Sequence, residues 1–119
     1  MPRFVVLRHE SPRGLHWDLM LESGEVLKTW ALPAPPASSK PLIVEALSDH
    51  RRAYLDYEGP ISGDRGEVAR WDSGSYRLER QSETQWVVQL KGEHIAGLAT
   101  LDRLSETIDQ WRLELKDEG

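Results

Sequence analysis

Phe4-Val5-Val6-Leu7-Arg8-His9, the loop Ser11-Pro12-Arg13-Gly14, and Leu15-His16-Trp17-Asp18-Leu19-Met20-Leu21 decide the fold class. The first run is β-branched and apolar and stops at turn-forming residues, as a strand does. In the second, Leu15, Trp17, Leu19 and Leu21 alternate with His16, Asp18 and Met20. Strand side chains point to opposite faces with period two, so one face is apolar and the other carries His16, Asp18 and Met20. Ser23-Gly24 is a hairpin turn signal, and Glu25 to Leu32 reads as the returning strand.

Working outward, Pro33, Pro35, Pro36 and Pro41 with Ser38-Ser39-Lys40 are too proline-dense for a helix or a central strand, so a long surface loop is expected. Apolar patterning resumes at Leu42 to Leu47. Asp49 to Tyr57 fits a single helical turn or a loop equally well. Gly59, Pro60, Gly63 and Gly66 make Glu58 to Gly66 another loop. From Glu67 on the chain reads as strands and turns: Val68 to Trp71, a turn at Asp72-Ser73-Gly74, Ser75 to Arg80, Thr84 to Leu90, a turn at Lys91-Gly92-Glu93, and His94 to Leu101. A polar connection from Asp102 to Asp109 leads to a last strand, Gln110 to Lys116. The expected fold is all-β, a small closed or nearly closed antiparallel β-barrel of about eight strands with one or two short helical turns. Closure is favoured because it removes exposed strand edges.

At 119 residues, with 39% hydrophobic and 29% charged, the chain has the composition of one ordinary globular domain spanning 1–119. No apolar run approaches the ~20 residues of a membrane-spanning helix, and Met1-Pro2-Arg3-Phe4 does not open a signal peptide. A cytoplasmic monomer that does not engage a membrane is expected. The absence of cysteine excludes disulfides, thiolate zinc sites and cysteine nucleophiles, so any metal must use histidine and carboxylate. A net charge of −5 argues against a protein that coats nucleic acid by bulk electrostatics and leaves room for a local basic pocket. The five tryptophans, spread evenly, read chiefly as core filling.

Among the four histidines, His9 ends one strand and His16 begins the next, so the turn between them can fold the imidazoles together. Asp18 shares the face of His16. Two imidazoles and a carboxylate from adjacent strands suit a divalent ion such as Mn, Zn or Fe; the competing reading is polar surface. His50 and Tyr54 lie on one side if their segment makes a helical turn, where both can meet phosphate oxygens; the competing reading is an exposed loop with a packed tyrosine. Arg51 and Arg52 beside them form the densest basic spot. His94 has no ligand-spaced partner and reads as structural. Gly-rich phosphate loops, nucleophile elbows and His-Glu-x-x-His are all absent.

Taken in order, these stretches resemble the 3′-phosphoesterase domain of bacterial DNA ligase D. The resemblance runs from Phe4 to His9 through Leu15 to Glu22 and Gly24 to Pro33. It continues at Asp49-His50 with Tyr54, Asp56 to Ile61, Trp71 to Tyr76, Gly97 to Leu101 and Gln110 to Lys116, covering nearly the whole chain. It implies a stand-alone, divergent relative: a small β-barrel with a metal at the mouth of its cavity and phosphoesterase action on 3′ ends of DNA or RNA-tipped DNA in end repair. The implied cofactor is a divalent metal, manganese first with zinc or another ion as alternatives, held by His9, His16 and Asp18. His50 and Tyr54 are the implied phosphate-contacting, catalytic pair, and a DNA ligase or polymerase is an implied partner.

The chain departs from the family pattern at Met20, where an arginine that contacts the scissile phosphate is expected. Methionine donates no hydrogen bond, and a lost bidentate donor removes transition-state stabilisation. Three readings follow: Arg13, Arg51 or Arg52 supplies the cation from elsewhere, the substrate differs, or the domain is a catalytically weak, metal-containing module that binds nucleic-acid ends or a repair partner. The His9–His16 loop also carries an extra residue, Ser48 replaces an acidic residue, and the loop Ser62 to Gly66 is shortened.

Overall fold

A computed structural model of the chain describes residues 1–106 and 108–117. The two amino-terminal runs form β1 (Arg3–Ser11) and β2 (Gly14–Ser23), paired antiparallel so that His9 stands opposite His16 and Leu7 opposite Asp18. After them come β3 (Val26–Leu32), β4 (Leu42–Arg51), a 3₁₀ turn (Arg52–Leu55), β5 (Gly59–Pro60), β6 (Glu67–Gln81), β7 (Gln85–Gly92), β8 (Ala96–Arg103) and β9 (Gln110–Asp117). The hydrogen-bonded order is β1-β2-β3-β4-β9-β8-β7-β6, and β6 pairs back onto β1, closing a ring of eight antiparallel strands with β5 appended to β6. The all-β barrel is therefore present, and closure leaves the ring without a free edge. Among the described residues the one helical element is the 3₁₀ turn, and no helix is long and apolar enough to cross a membrane.

Every ring strand contributes to one buried cluster: Phe4 and Val6, Leu19 and Leu21, Trp30 and Leu32, Leu42 and Val44, Tyr76, Trp86 and Val88, Ala99 and Leu101, Trp111 and Leu113. A cluster fed from all sides is the barrel lumen. Trp30 meets Trp86 and Trp111 edge-on, with ring centroids 6.0 and 5.6 Å apart, an arrangement aromatic quadrupoles favour. These three tryptophans fill the core as expected, while Trp17 and Trp71 are only partly buried against it.

Three expectations need correction. No turn forms at Asp72-Ser73-Gly74: β6 runs through them as a single 15-residue strand. Asp72 is instead a buried carboxylate that accepts backbone N–H groups from Glu93, His94 and Ile95, tying β6 to the β7–β8 turn. Gly74 is there because a Cβ would come within 2.0 Å of the Lys91 carbonyl oxygen. The strand expected from His94 begins at Ala96, and the His94 ring lies against Trp71 at 5.7 Å. Finally, β8 extends to Arg103 into the expected 102–109 connection, in which Thr107 lies outside the described residues.

The other face of the alternation points out of the barrel and is covered too. Val5, Leu7, Met20, Leu27, Leu55 and Val68 form a second buried cluster, with Tyr54 and Ile61 packed on it. Leu55 anchors the 3₁₀ turn to the outer wall. Everything aligned with this cluster further along β1 and β2, including His9, His16 and Asp18, therefore lies outside the lumen.

Candidate metal and phosphate site

His9, His16 and Asp18 converge, each offering a ligand atom within 4.8 Å of the others. The hairpin register brings them together: His9 and His16 are direct cross-strand partners, and Asp18, two residues on, returns to the same face. His9 Nδ1 is 3.1 Å from His16 Nε2 and 3.1 Å from Asp18 Oδ2, and His16 Nε2 is 3.0 Å from Asp18 Oδ1. Such spacings are those of neighbouring ligand atoms set about 2.1 Å from one shared ion. The three side chains project on the face opposite the lumen residues, because the lumen takes the alternate residues of both strands.

The surroundings of the donors favour a cation. His9 Nε2–H donates to the Arg65 carbonyl oxygen at 2.8 Å, which fixes the proton on Nε2 and, in the neutral ring, leaves the Nδ1 lone pair facing Asp18 and His16. Asp18 is buried, and its Oδ1, though near His16, is out of line for a hydrogen bond and has no such partner. Lone pairs this close repel unless protons or a cation lie among them. The Asp18 carboxylate beside it accordingly holds the His16 imidazole above its ordinary range against the cost of burial, with a smaller contribution from Glu45. The residues fit a divalent metal with oxygen and nitrogen ligands.

His50 reaches the same place through an irregularity. Thr29 pairs with Leu47 and Leu27 with His50, so β4 carries one extra residue there. Leu47 and His50, three apart, would face opposite sides of a regular strand; the bulge turns both outward. His50 Nδ1–H donates to the Ser48 carbonyl oxygen at 2.8 Å, leaving Nε2 for the groove. Tyr54, placed by the 3₁₀ turn, stands edge-on to His50 at 5.8 Å. Asp49, His50 and Arg51 belong to β4, so of the two readings for this segment the helical turn begins only at Arg52.

A groove of about 390 Å³ is lined by His9, Asp18, Met20, His50, Arg51, Tyr54 and Arg65, and a second cleft beside it by Arg13, His16, His9, Asp18, His50 and Arg65. Arg51 and Arg13 thus border the site, one in each depression. Arg52 borders neither and is ion-paired with Glu22 at 2.5 Å. Met20 is buried, part of the outer apolar cluster, with its edge on the groove. Arg65 borders both depressions and was not singled out from the sequence; its loop has a turn signature but no chemical motif. The only hint was a basic residue between Gly63 and Gly66.

The segment from residue 7 to residue 103, which contains every one of these side chains, matches the model of the DNA Ligase D 3′-phosphoesterase domain. The chain belongs to this family. It is 34% identical over 117 residues to the multifunctional non-homologous end joining protein LigD of Mycobacterium bovis, an alignment that takes in 91% of the chain and 15% of that protein. The Mycolicibacterium smegmatis protein is 32% identical over 111 residues, and that of Pseudomonas aeruginosa 38% over 80 residues. The chain spans about a seventh of the mycobacterial proteins it matches, 15% and 14% of their lengths. Membership of the DNA ligase D phosphoesterase family marks the chain as a phosphoesterase-type, hydrolase-class domain.

Proposed function

We propose that the chain acts as one domain, a divalent-metal-dependent phosphoesterase working on the 3′ ends of DNA or RNA-tipped DNA in end repair, with reduced or altered activity. The observation that carries the reading is the convergence of His9 Nδ1, His16 Nε2 and an orphaned Asp18 oxygen beside a groove that also holds His50 and Tyr54. His9, His16 and Asp18 would hold the ion, manganese before zinc or another, and the ion would supply Lewis acidity toward the phosphoryl group. Water attacks phosphorus as the bond to the leaving oxygen breaks, while His50 Nε2, its ring fixed by Ser48, and the Tyr54 hydroxyl hold phosphate oxygens and protonate the leaving oxygen. Arg51 and Arg13 at the rims attract the anionic end despite the net charge of −5.

The relatives' names place them in non-homologous end joining, and a DNA ligase or polymerase acting on the same cytoplasmic ends is the partner that reading implies. Reduced activity follows from Met20, a buried thioether where the family pattern has a phosphate-contacting arginine. The second reading, a catalytically weak module that binds ends or a repair partner, rests on the same residue. Primers ending in a 3′-phosphate, a 3′-ribonucleotide or a plain 3′-hydroxyl, incubated with manganese, separate the two. Conversion of the first two with the third untouched supports the enzyme; metal binding with all three unchanged supports the module.

A further inference from the structure

A terminal phosphate brings two negative charges into a groove whose lining includes Asp18 and Asp49, with Met20 offering no donor. It therefore needs a cation that reaches the junction between the two depressions. Arg52 is occupied by Glu22. Arg13 lines one depression and Arg51 the other, whereas Arg65 lines both, together with His9 and His50.

Arg65 is also placed more firmly than an ordinary loop arginine. Its loop is closed by Ile61 N–H donating to the Gly66 carbonyl oxygen at 2.8 Å. Gly66 has φ +89° and lies so close to β1 that a Cβ would come within 1.8 Å of the Glu10 carbonyl oxygen, so the loop is seated backbone to backbone on the strand that carries His9. The Arg65 carbonyl accepts from His9 at 2.8 Å. Arg65 Nε donates to the Ser62 carbonyl oxygen at 2.9 Å and Nη2 to Ser62 Oγ at 3.4 Å, which orients the guanidinium plane and leaves Nη1 and the second proton of Nη2 for a ligand. Among the described residues Arg65 has no ion-pair partner.

We propose that Arg65 is the phosphate-gripping cation of this site, and that the Ser62–Gly66 loop therefore serves two ends at once, orienting His9 through its backbone and the substrate phosphate through its side chain. The inference rests on the phosphoesterase reading given above and names the residue that supplies its anion contact. A planar guanidinium matches two phosphate oxygens where a methionine matches none.

The test compares binding, read by rapid mixing before turnover, of a fluorescent primer carrying a 3′-phosphate with the same primer carrying a 3′-hydroxyl, in manganese, for the wild-type chain, Arg65→Gln and Arg65→Lys. Manganese affinity is measured in parallel. The wild type is expected to prefer the phosphorylated primer, Arg65→Gln to lose about 10- to 100-fold of that preference, and Arg65→Lys to keep part of it. Manganese affinity should stay unchanged, because the carbonyl that orients His9 is backbone. Retention of the full preference by Arg65→Gln overturns the role of Arg65 and leaves the phosphoesterase reading standing. Absence of any preference in the wild type overturns both.

Discussion

The Arg65 carbonyl oxygen accepts the Nε2 proton of His9 at 2.8 Å, so a loop distant in sequence decides which imidazole nitrogen of β1 faces Asp18. That contact depends on Gly66, whose positive φ and close approach to Glu10 leave no room for a side chain. Gly66→Ala is expected to destabilise the fold by about 2 kcal/mol, since alanine is strained at such a φ and the new methyl meets backbone. Urea unfolding measures the loss. Manganese affinity should fall with it, by the roughly 10- to 100-fold attached to partners that orient a ligand.

Removing a donor is more severe than disturbing its orientation. Asp18→Asn keeps the shape of a buried side chain but removes the negative charge that the two imidazoles face at 3.0 and 3.1 Å. Manganese binding, followed by electron paramagnetic resonance or calorimetry, should weaken by more than the roughly 100-fold upper range of an orienting partner. Circular dichroism of the metal-free variant should remain that of a β-barrel, because the lumen does not touch Asp18.

The lumen has its own weak point. Trp30 is buried and makes edge contacts with both Trp86 and Trp111. Trp30→Ala should cost about 3–5 kcal/mol in denaturant unfolding. Trp30→Phe should cost much less, since the indole Nε1 already lacks a hydrogen-bond partner.

Acid sensitivity should arise where Glu22 and Asp56 meet Arg3 and Arg52. The Arg3 backbone N–H and then Arg52 hold Glu22 below the usual carboxylate range, and the Arg3 side chain does the same for Asp56. A carboxyl group with a lowered folded-state value stabilises the fold above its unfolded value, near pH 4, and that contribution disappears as pH falls through the folded value. Thermal unfolding of the wild type and Glu22→Gln across pH 2–7 should therefore show the two curves converging toward the acid end, by a small amount because the pairs are on the surface. Glu22→Gln also releases Arg52 from its ion pair.

The barrel was legible because period-two alternation in β1, β2 and β9 and the turn residues between strands are local signals. The trio His9, His16 and Asp18 was legible for the same reason: a hairpin register is local, and the pairing of His9 with His16 follows from it. Three things were not. Asp72-Ser73-Gly74 reads as a turn by composition, but Asp72 serves the backbone of another turn and Gly74 permits a close strand contact, both nonlocal facts. The outward turn of His50 depends on a bulge in β4 that leaves no mark in the residues Ser48-Asp49. The closeness of Arg65 to His9 spans 56 positions and exists only because Gly66 lets the loop rest on β1.

The most direct test of the central claim is release of inorganic phosphate from a DNA primer with a 3′-phosphate, with and without manganese, by the wild type and by His16→Ala. The account predicts metal-dependent release by the wild type and loss of it in His16→Ala, whose metal-free fold should be intact because His16 faces outward from the core. Release that persists in His16→Ala, or that proceeds equally with a chelator present, would contradict it.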